Sequence, residues 1–219
     1  MNVRPPLALA VLISGRGSNM SAIMRACLSR AINAEVALVV SDRADAAGLR
    51  SAAELGAPTA IVAARGGAEL EGELAELLDA RAPQAIALAG FMRILSPAFV
   101  TRYLGRMLNV HPSLLPLHRG LHTHRRVLAA GERLHGASVH YVTPELDSGP
   151  VVLQSQVAVR PDDTEAVLSQ RVLRTEHIIY PRVLGWLAAG RLEWRAGAPW
   201  LDGARLRQPL IEDFRDARD

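Results

Sequence analysis

The sequence predicts an α/β fold with a mostly parallel sheet, helices on both faces and an antiparallel C-terminal part. In roughly the first ninety residues, short β-branched apolar runs alternate with amphipathic stretches, which is typical of parallel strands joined by crossover helices. Later in the chain, two strand-like runs flank a short turn. A length of 219 residues is enough for one well-buried core, so residues 1–203 are interpreted as a single domain.

The elements of the first half are bounded by residues that interrupt regular structure. We predict strands at residues 7–13, 35–40, 59–62, 84–89 and 106–110. We predict helices at residues 18–30, 44–55, 68–81 and 97–103, each ending close to a Gly, Pro or Asn.

The second half begins with a loop rich in proline, glycine and histidine. A helix is predicted at residues 123–130, and strands at 137–142 and 151–159 flank a turn at 144–150. A long helix at 164–188 and a short strand at 191–194 follow. The polar tail at 204–219 is predicted to be poorly ordered.

Composition excludes several classes of function. No stretch approaches the roughly 18 apolar residues of a membrane span, and a single cysteine, Cys27, indicates a reducing cytoplasm. The absence of lysine excludes both Schiff-base chemistry and a nucleotide-binding P-loop. Although the net charge is +3, the arginines are scattered among acids. We therefore expect small-molecule substrates, and neither nucleic acid nor a membrane as a partner.

A glycine-rich loop at residues 14–19, with the sequence SGRGSN, joins the first predicted strand to the first helix. Its glycines allow a ligand to approach the backbone, and the start of a helix offers N–H groups to an anion such as a phosphate. Met20 stands where a dinucleotide fingerprint needs Gly or Ala, but Asp42 after the second strand keeps a nicotinamide cofactor as an alternative. A glycine turn capped by Ser18 or Asn19 is the structural alternative.

Asn109 lies in the fifth predicted strand and His111 directly follows that strand. Because the two are two residues apart on an extended backbone, their side chains project to the same face. Prolines after His111 stiffen the exit from the strand and would hold the imidazole in place. Ligands of a Rossmann-like sheet bind beyond the carboxyl ends of the strands. We therefore expect the loops at Ser14, Gly90 and His111 to converge.

Asp147 lies in the turn between the last two predicted strands of the sheet, where an aspartate is commonly a turn former. If the fold brings Asp147 near His111, its carboxylate would favour the imidazolium. We would then expect a raised pKa of His111.

Four histidines fall within the fourteen residues 111–124, namely His111, His118, His122 and His124. Their spacing matches no closed tetrahedral zinc site, so we expect no metal. A Gly-x-Ser-x-Gly elbow is absent as well, which argues against serine hydrolysis.

Seven short segments between about residue 9 and residue 203 carry a family resemblance. They are SGxGSN (14–19), AGFMRIL (89–95), NxHPSLLP (109–116), GLHTH (120–124), ELDxGP (145–150), EHxxYP (176–181) and WLDG (200–203). Together they resemble the phosphoribosylglycinamide formyltransferases, a group of the folate-dependent formyltransferase family. The SLLP segment is shared by folate formyl-group enzymes in general, whereas the first loop and GLHTH point to this group.

The resemblance implies direct transfer of a formyl group from 10-formyltetrahydrofolate, as co-substrate, to the amine of glycinamide ribonucleotide in de novo purine biosynthesis. It implies a cytoplasmic enzyme without a metal, either a monomer or a homodimer. By the same resemblance His111 is the general acid and base, Asn109 stabilises the oxyanion, and Asp147 raises the pKa of His111.

The resemblance also implies ligand contacts. The substrate phosphate would be held by Gly17, Ser18 and Asn19, and the ribose and glycinamide part by Glu176. The folate pocket would be lined, together with Asn109 and Asp147, by Met92, Arg93, Ile94, Leu95, Thr143, Pro144, Glu145 and Leu146. The family often places an arginine for the glutamate tail of folate after the third strand, and in the shorter segment found here Arg65 can substitute for it.

Two related enzymes are alternatives within the family. A methionyl-tRNA formyltransferase would need a further RNA-binding domain, which about sixteen residues after Gly203 do not supply. A formyltetrahydrofolate hydrolase would carry an extra N-terminal regulatory domain, whereas this chain starts at its first predicted strand. A nicotinamide- or nucleotide-binding module without formyl chemistry is the alternative from another class.

Overall fold

The computed structural model describes residues 4–63 and 66–216. The strands in this part of the chain are β1 Leu7–Ile13, β2 Ala34–Ser41, β3 Thr59–Ile61, β4 Ala85–Leu88, β5 Met107–His111, β6 Leu134–Tyr141, β7 Val151–Ala158, β8 Leu192–Arg195, β9 Ala198–Leu201, β10 Ala204–Arg205 and β11 Leu210–Asp213. The helices are α1 Ser18–Leu28, α2 Ala47–Glu54, α3 Gly67–Arg81, α4 Pro97–Arg102, α5 Thr123–Ala129 and α6 Glu165–Ala188.

The main sheet has the strand order β11-β7-β6-β5-β4-β1-β2-β3 in the described residues. Strands β3, β2, β1, β4 and β5 are parallel, whereas β6 runs antiparallel to both of its neighbours, β5 and β7. Strands β8, β9 and β10 form a separate small antiparallel sheet. This confirms the predicted mixed sheet with an antiparallel C-terminal part.

Helices cover both faces of the sheet, as predicted, because the central strands are apolar on both faces. In β1, Leu9, Val11 and Ile13 pack in one core cluster, together with buried residues of α1 and α6. The alternating residues Ala10 and Leu12 pack in a second cluster with α3 and α4. Successive side chains of a strand point to opposite faces of the sheet, so neighbouring residues of β1 belong to different core clusters.

Tyr180 on α6 fixes the position of the two strands that lead to the candidate site. Its side chain is fully buried, and its hydroxyl is 2.8 Å from the carbonyl oxygen of Leu108 on β5 and 3.2 Å from that of Leu88 on β4. The single phenolic proton is shared between these two acceptors. Helix α6 is therefore tied to the ends of both strands, one residue before Asn109.

The turn into α1 needs a glycine at position 17. Gly17 has a φ of 71°, and a Cβ atom there would lie 2.9 Å from Cε of Met20 and 3.0 Å from Cα of Gly48. Gly48 in turn donates its N–H to the carbonyl oxygen of Gly15 at 3.0 Å. The starts of α1 and α2 therefore approach each other through backbone alone.

The structure corrects the prediction of a poorly ordered tail for the part of residues 204–219 that it describes. Strand β10 continues the small sheet, and β11 adds to the main sheet beside β7. Their backbone groups are paired with strands that are distant in sequence, so the polar composition that suggested disorder did not decide the outcome.

Other predicted boundaries differ for local reasons. Helix α2 begins at Ala47 and not at residue 44, since residues 43–46 form a turn in which the N–H of Ala46 bonds the carbonyl oxygen of Arg43 at 3.3 Å. Strand β6 begins at Leu134 and passes through Gly136, where a Cβ atom would lie 1.8 Å from the carbonyl oxygen of Ser155. That glycine allows close contact inside the strand and does not end it.

Tyr180→Phe tests the role of the buried hydroxyl. The change leaves the carbonyl oxygens of Leu88 and Leu108 without this donor, so we expect the free energy of unfolding to fall by about 1–2 kcal/mol. Denaturant unfolding monitored by circular dichroism measures it. Tyr103→Phe, which loses a hydroxyl bonded to the partly exposed Asp79, is the matched control and should lose less. Equal losses in the two variants would refute the assigned role of Tyr180.

Candidate active site

The loops after β1 and β4 converge at the carboxyl end of the sheet, as predicted. The N–H of Ser14 donates to the carbonyl oxygen of Gly90 at 3.1 Å, and the hydroxyl of Ser14 accepts from the N–H of Met92 at 2.8 Å. Strand β5 is the next neighbour, with Asn109 in register with Leu88 of β4. The end of β5 therefore lies beside this pair of loops.

Asn109 is oriented by a histidine on the adjacent antiparallel strand. Its Nδ2 is 3.2 Å from Nε2 of His140, the residue directly opposite on β6. Burial lowers the pKa of His140 to about 4, so this ring is neutral near pH 7. Because Nδ1 of His140 donates to the carbonyl oxygen of Tyr141 at 3.0 Å, Nε2 carries the lone pair and accepts from Asn109. The second N–H of the Asn109 amide is not used in this contact.

His111 is buried and held at both ring nitrogens. Nε2 lies 3.0 Å from the carbonyl oxygen of His118, which can only accept, so Nε2 carries a proton. Nδ1 lies 3.5 Å from Oδ2 of Asp147. This is an ion-pair separation, and it is longer than the roughly 2.7–3.2 Å of an ordinary N–H···O hydrogen bond.

Asp147 reaches the strand end because its turn is fitted closely onto β6. Gly149 lies against the backbone there, and a Cβ atom on it would be 1.7 Å from the carbonyl oxygen of Tyr141. The carboxylate accepts from the N–H of Gly120 at 2.9 Å and lies 3.9 Å from Nε2 of His140 through its other oxygen. Folding thus brings Asp147 to His111 across a separation of 36 residues (147 − 111).

His140 is not among the residues predicted from the sequence. A usable signal was present, because Ser138 and His140 repeat the spacing of two found in Asn109 and His111. In the antiparallel pair, Asn109 lies opposite His140, and His111 lies opposite Ser138. The pattern identifies these partners once β6 is recognised as the antiparallel neighbour of β5.

Asn19 and Glu176, which are 157 residues apart, are joined by a hydrogen bond. Nδ2 of Asn19 donates to Oε2 of Glu176 at 2.6 Å, and both side chains are buried. Burial raises the pKa of Glu176 to about 7, and the bond from Asn19 opposes this shift. Oδ1 of Asn19 is buried and has no hydrogen-bond partner among the described residues.

The first turn of α1 is open at its N-terminus. Gly17 is the N-cap and Ser18 is the first helical residue, and within the described chain no side-chain hydrogen bond caps this end. Asn19 is directed to Glu176. The capped-turn alternative is therefore not what the structure contains, and the helix start has N–H groups available to an anion.

Exposed apolar side chains lie on the two segments that flank the end of β5. Met92 and Ile94, after β4, are 68% and 79% exposed, and Leu146, beside Asp147, is 53% exposed. Apolar side chains exposed next to buried polar groups are typical of a ligand surface.

The remaining residues expected at the folate pocket have varied surroundings. Leu95 is buried in the second core cluster. Thr143 donates to the carbonyl oxygen of Glu145, and Pro144 is the exposed residue between them. Arg65 lies outside the described residues.

Arg93 lies 3.3 Å from the carboxylate of Asp42. The side chain of Asp42 is 8% exposed, so the residue that kept the nicotinamide alternative open is buried against a cation.

The four clustered histidines have separate environments. His111 faces Asp147, His118 bonds Glu132, and His122 is the N-cap of α5. His124 bonds the buried His135, and burial lowers the pKa of His135 to about 3. Within residues 4–63 and 66–216, no group of three or more His, Cys, Asp or Glu side chains is placed to hold a metal, and no helix is long and apolar enough to cross a membrane.

The chain is similar in sequence and fold to known formyl-transferring proteins. Residues 7–184 match the family described as formyl transferase. The chain is 51% identical over 201 residues to phosphoribosylglycinamide formyltransferase of Escherichia coli K12, and 40% identical over 201 residues to that of Haemophilus influenzae, covering 90% of this chain and 95% of each relative. The solved structure of phosphoribosylglycinamide formyltransferase from Coxiella burnetii superposes with a TM-score of 0.88 at 46% identity, over 94% of this chain and 99% of that one.

The raised pKa of Glu176 predicts a pH dependence of stability. Between about pH 4.5 and pH 7 the folded chain retains a proton on Glu176 that the unfolded chain has lost, so the free energy of unfolding falls as pH rises through this window. Glu176→Gln removes the titrating group. We expect the free energy of unfolding of Glu176→Gln to rise relative to that of the wild type as pH rises, by roughly 3 kcal/mol at most.

Denaturant unfolding of both proteins at pH values across this window measures the difference. Glu193→Gln neutralises a carboxylate that pairs with Arg195 in the small sheet, and serves as the control for loss of an acid. Parallel curves for wild type and Glu176→Gln would contradict the burial effect.

Proposed function

The chain belongs to the formyl transferase family, and on that premise we propose that it transfers the formyl group of 10-formyltetrahydrofolate to the amine of glycinamide ribonucleotide, a step of de novo purine biosynthesis. The observation that carries the proposal is that Asp147 lies beside His111 and also beside His140, the histidine that bonds Asn109. The identity and mutual coverage with the Escherichia coli relative support this substrate pair over the alternatives within the family.

Asn109 and His111 stabilise the charge that develops during attack. The amine of the nucleotide attacks the formyl carbon, and its carbonyl oxygen becomes negative. The amide N–H of Asn109 that does not bond His140 donates to this oxygen, and the His111 imidazolium supplies a positive charge beside it. Donors fixed before the reaction stabilise such an oxyanion without reorganising.

His111 moves the proton and Asp147 supports it. After the C–N bond forms, the attacking nitrogen must lose a proton, and the folate nitrogen must gain one before its bond to the formyl carbon breaks. His111 relays this proton, so that the products are the formylated amine and tetrahydrofolate. The Asp147 carboxylate, 3.5 Å from Nδ1, stabilises the charged ring without saturating that edge.

The open start of α1 is the proposed phosphate site. Gly17, Ser18 and Asn19 offer N–H groups there, and the positive end of the helix dipole favours an anion. Glu176, hydrogen-bonded to Asn19, faces the ribose and glycinamide part of the same substrate. A substrate hydroxyl or amine can partner the unpaired Oδ1 of Asn19.

The exposed segments on either side of β5 form the proposed folate pocket. Met92, Ile94 and Leu146 provide apolar surface for the flat ring system. The same segments provide the polar side chains of Arg93, Thr143 and Glu145 and the backbone carbonyl of Pro144. Arg65 is proposed to contact the glutamate tail. We further propose that the enzyme acts in the cytoplasm on small molecules alone, as a monomer or homodimer.

A direct assay tests the proposed reaction. Purified protein incubated with 10-formyltetrahydrofolate and glycinamide ribonucleotide should release tetrahydrofolate and formylated nucleotide in equal amounts. Omitting the nucleotide distinguishes transfer from hydrolysis to formate. Folded protein that yields no formylated nucleotide would exclude the function, and release of formate alone would favour the hydrolase.

Substitution of the two charged members tests the mechanism. We expect His111→Ala and Asp147→Ala each to lower kcat by ~10²–10⁴-fold, because both act on proton transfer and transition-state charge. Binding of a folate analogue, measured by calorimetry, should persist in both variants. Asp79→Ala removes an exposed carboxylate paired with Arg102 on the surface and should retain full activity. An Asp147→Ala enzyme with wild-type kcat would remove Asp147 from the mechanism.

A further inference from the structure

Residues 118–120 hold both His111 and Asp147. The carbonyl oxygen of His118 accepts from Nε2 of His111 at 3.0 Å, and two residues later the N–H of Gly120 donates to Asp147 at 2.9 Å. We infer that Glu132, which binds the ring of His118, is a positioning residue for His111. This inference rests on the proposed function, because it assigns Glu132 a role in the same reaction.

The contact between His118 and Glu132 is short and partly shielded from solvent. Nε2 of His118 lies 2.6 Å from Oε1 of Glu132, and the two side chains are 13% and 32% exposed. A carboxylate only accepts, so Nε2 of His118 is the donor. The other nitrogen, Nδ1, is buried without a hydrogen-bond partner in the described part of the chain. Glu132 is thus the group that sets the orientation of this ring.

The backbone of His118 depends on such a constraint. Its φ is 53°, in the left-handed region that side chains other than glycine rarely adopt without support from their surroundings. Glu132 can provide that support because its own backbone is fixed, its N–H bonding the carbonyl oxygen of Val127 at 3.3 Å in the turn between α5 and β6. The side-chain contact therefore ties the loop that carries His118 to the end of α5.

The orientation of the His118 carbonyl determines how the proton is placed on His111. A neutral His111 has one ring proton, and two acceptors compete for it: the His118 carbonyl oxygen, 3.0 Å from Nε2, and the Asp147 carboxylate, 3.5 Å from Nδ1. The closer acceptor keeps the proton on Nε2 and leaves the lone pair on Nδ1. Without a fixed acceptor, the proton can occupy either nitrogen, and the ring can turn. A fraction of molecules then has no lone pair at the edge that faces Asp147.

Loss of Glu132 is expected to affect turnover and not the binding of substrates. Glu132 is bonded to the loop and not to the segments proposed to bind the nucleotide or the folate. Its loss should therefore reduce kcat while leaving KM for both substrates nearly unchanged, since misplacing a catalytic group weakens the transition state more than the ground state.

Three variants test the role of Glu132 by steady-state kinetics. Glu132→Ala removes the acceptor, and we expect kcat to fall roughly tenfold, with both KM values within about twofold of wild type. Glu132→Gln keeps an acceptor oxygen for Nε2 of His118 and should restore kcat to within about twofold of wild type. Glu193→Ala breaks an ion pair with Arg195 in the small sheet and should retain full activity.

A spectroscopic measurement tests the same role without turnover. Nitrogen NMR of protein labelled with ¹⁵N-histidine, at a pH where His111 is neutral, should show the Nε2–H form in wild type and in Glu132→Gln. Glu132→Ala should show a mixture of the two neutral forms. The His111 signal is identified by its absence from His111→Asn.

The outcomes separate the two proposals. If wild type forms no formylated nucleotide, the proposed function fails, and the proton position on His111 still reports on Glu132. If Glu132→Ala keeps wild-type kcat and a single Nε2–H form, the positioning role is wrong even when transfer is confirmed. Equal losses of kcat in Glu132→Ala and Glu132→Gln would also overturn it. A Glu132→Ala protein that does not fold leaves Glu132→Gln and its kcat as the deciding measurement, with a loss as large as tenfold contradicting the role.

Discussion

The antiparallel pairing of β5 with β6 is the constraint on which the candidate site depends. Parallel strands bring the loops after β1 and β4 together, and the reversal at β6 then places Asn109 opposite His140 and His111 opposite Ser138. Because side chains alternate along a strand, a slip of one residue in this register would turn each pair to the wrong face. The buried apolar residues of the two strands oppose such a slip. Core packing and site geometry are thus set by one register.

Burial affects the protonation of side chains in the site as well as the shape of the site. In His140, burial favours the neutral ring, and that neutral ring fixes which end of the Asn109 amide faces it. At His111 the arrangement is the opposite, since a carboxylate faces one nitrogen and a carbonyl oxygen the other. Two histidines of one small region therefore have different surroundings, and the proposed mechanism uses only His111 for proton transfer.

The sequence allowed correct prediction of features that arise locally or repeat with a simple period. The parallel half of the sheet and the shared face of Asn109 and His111 follow from strand alternation, and the loop convergence at Ser14 follows from the strand directions. Contacts between distant segments could not be obtained in this way. Asp147 was predicted only from family resemblance. His140 could not be identified before β6 was known to pair with β5, because its contact is with Asn109 on the opposite strand.

The C-terminal tail is a second example in which contacts between distant segments could not be predicted from the sequence. Residues 210–213 alternate too briefly to distinguish a strand from a polar loop, and their pairing with β7 depends on an edge that exists only in the folded sheet. The prediction for this region therefore failed where composition was its only support. The resemblance to a known family predicted which segments bind ligands, but it could not specify that His118 is bonded to Glu132.

Strand β11 has a consequence for how the folded protein behaves among its own copies. It pairs with residues 153–156, which are half of the eight-residue strand β7, and so covers backbone that would otherwise be a template for strand addition. Two of its own four residues are Glu212 and Asp213. At the opposite border of the sheet, β3 is three residues long. Short edge strands such as β3, and edge strands that carry charge such as β11, are poor templates for edge-to-edge aggregation. Glu212 and Asp213 thereby disfavour the addition of a further strand at this edge of an apolar sheet.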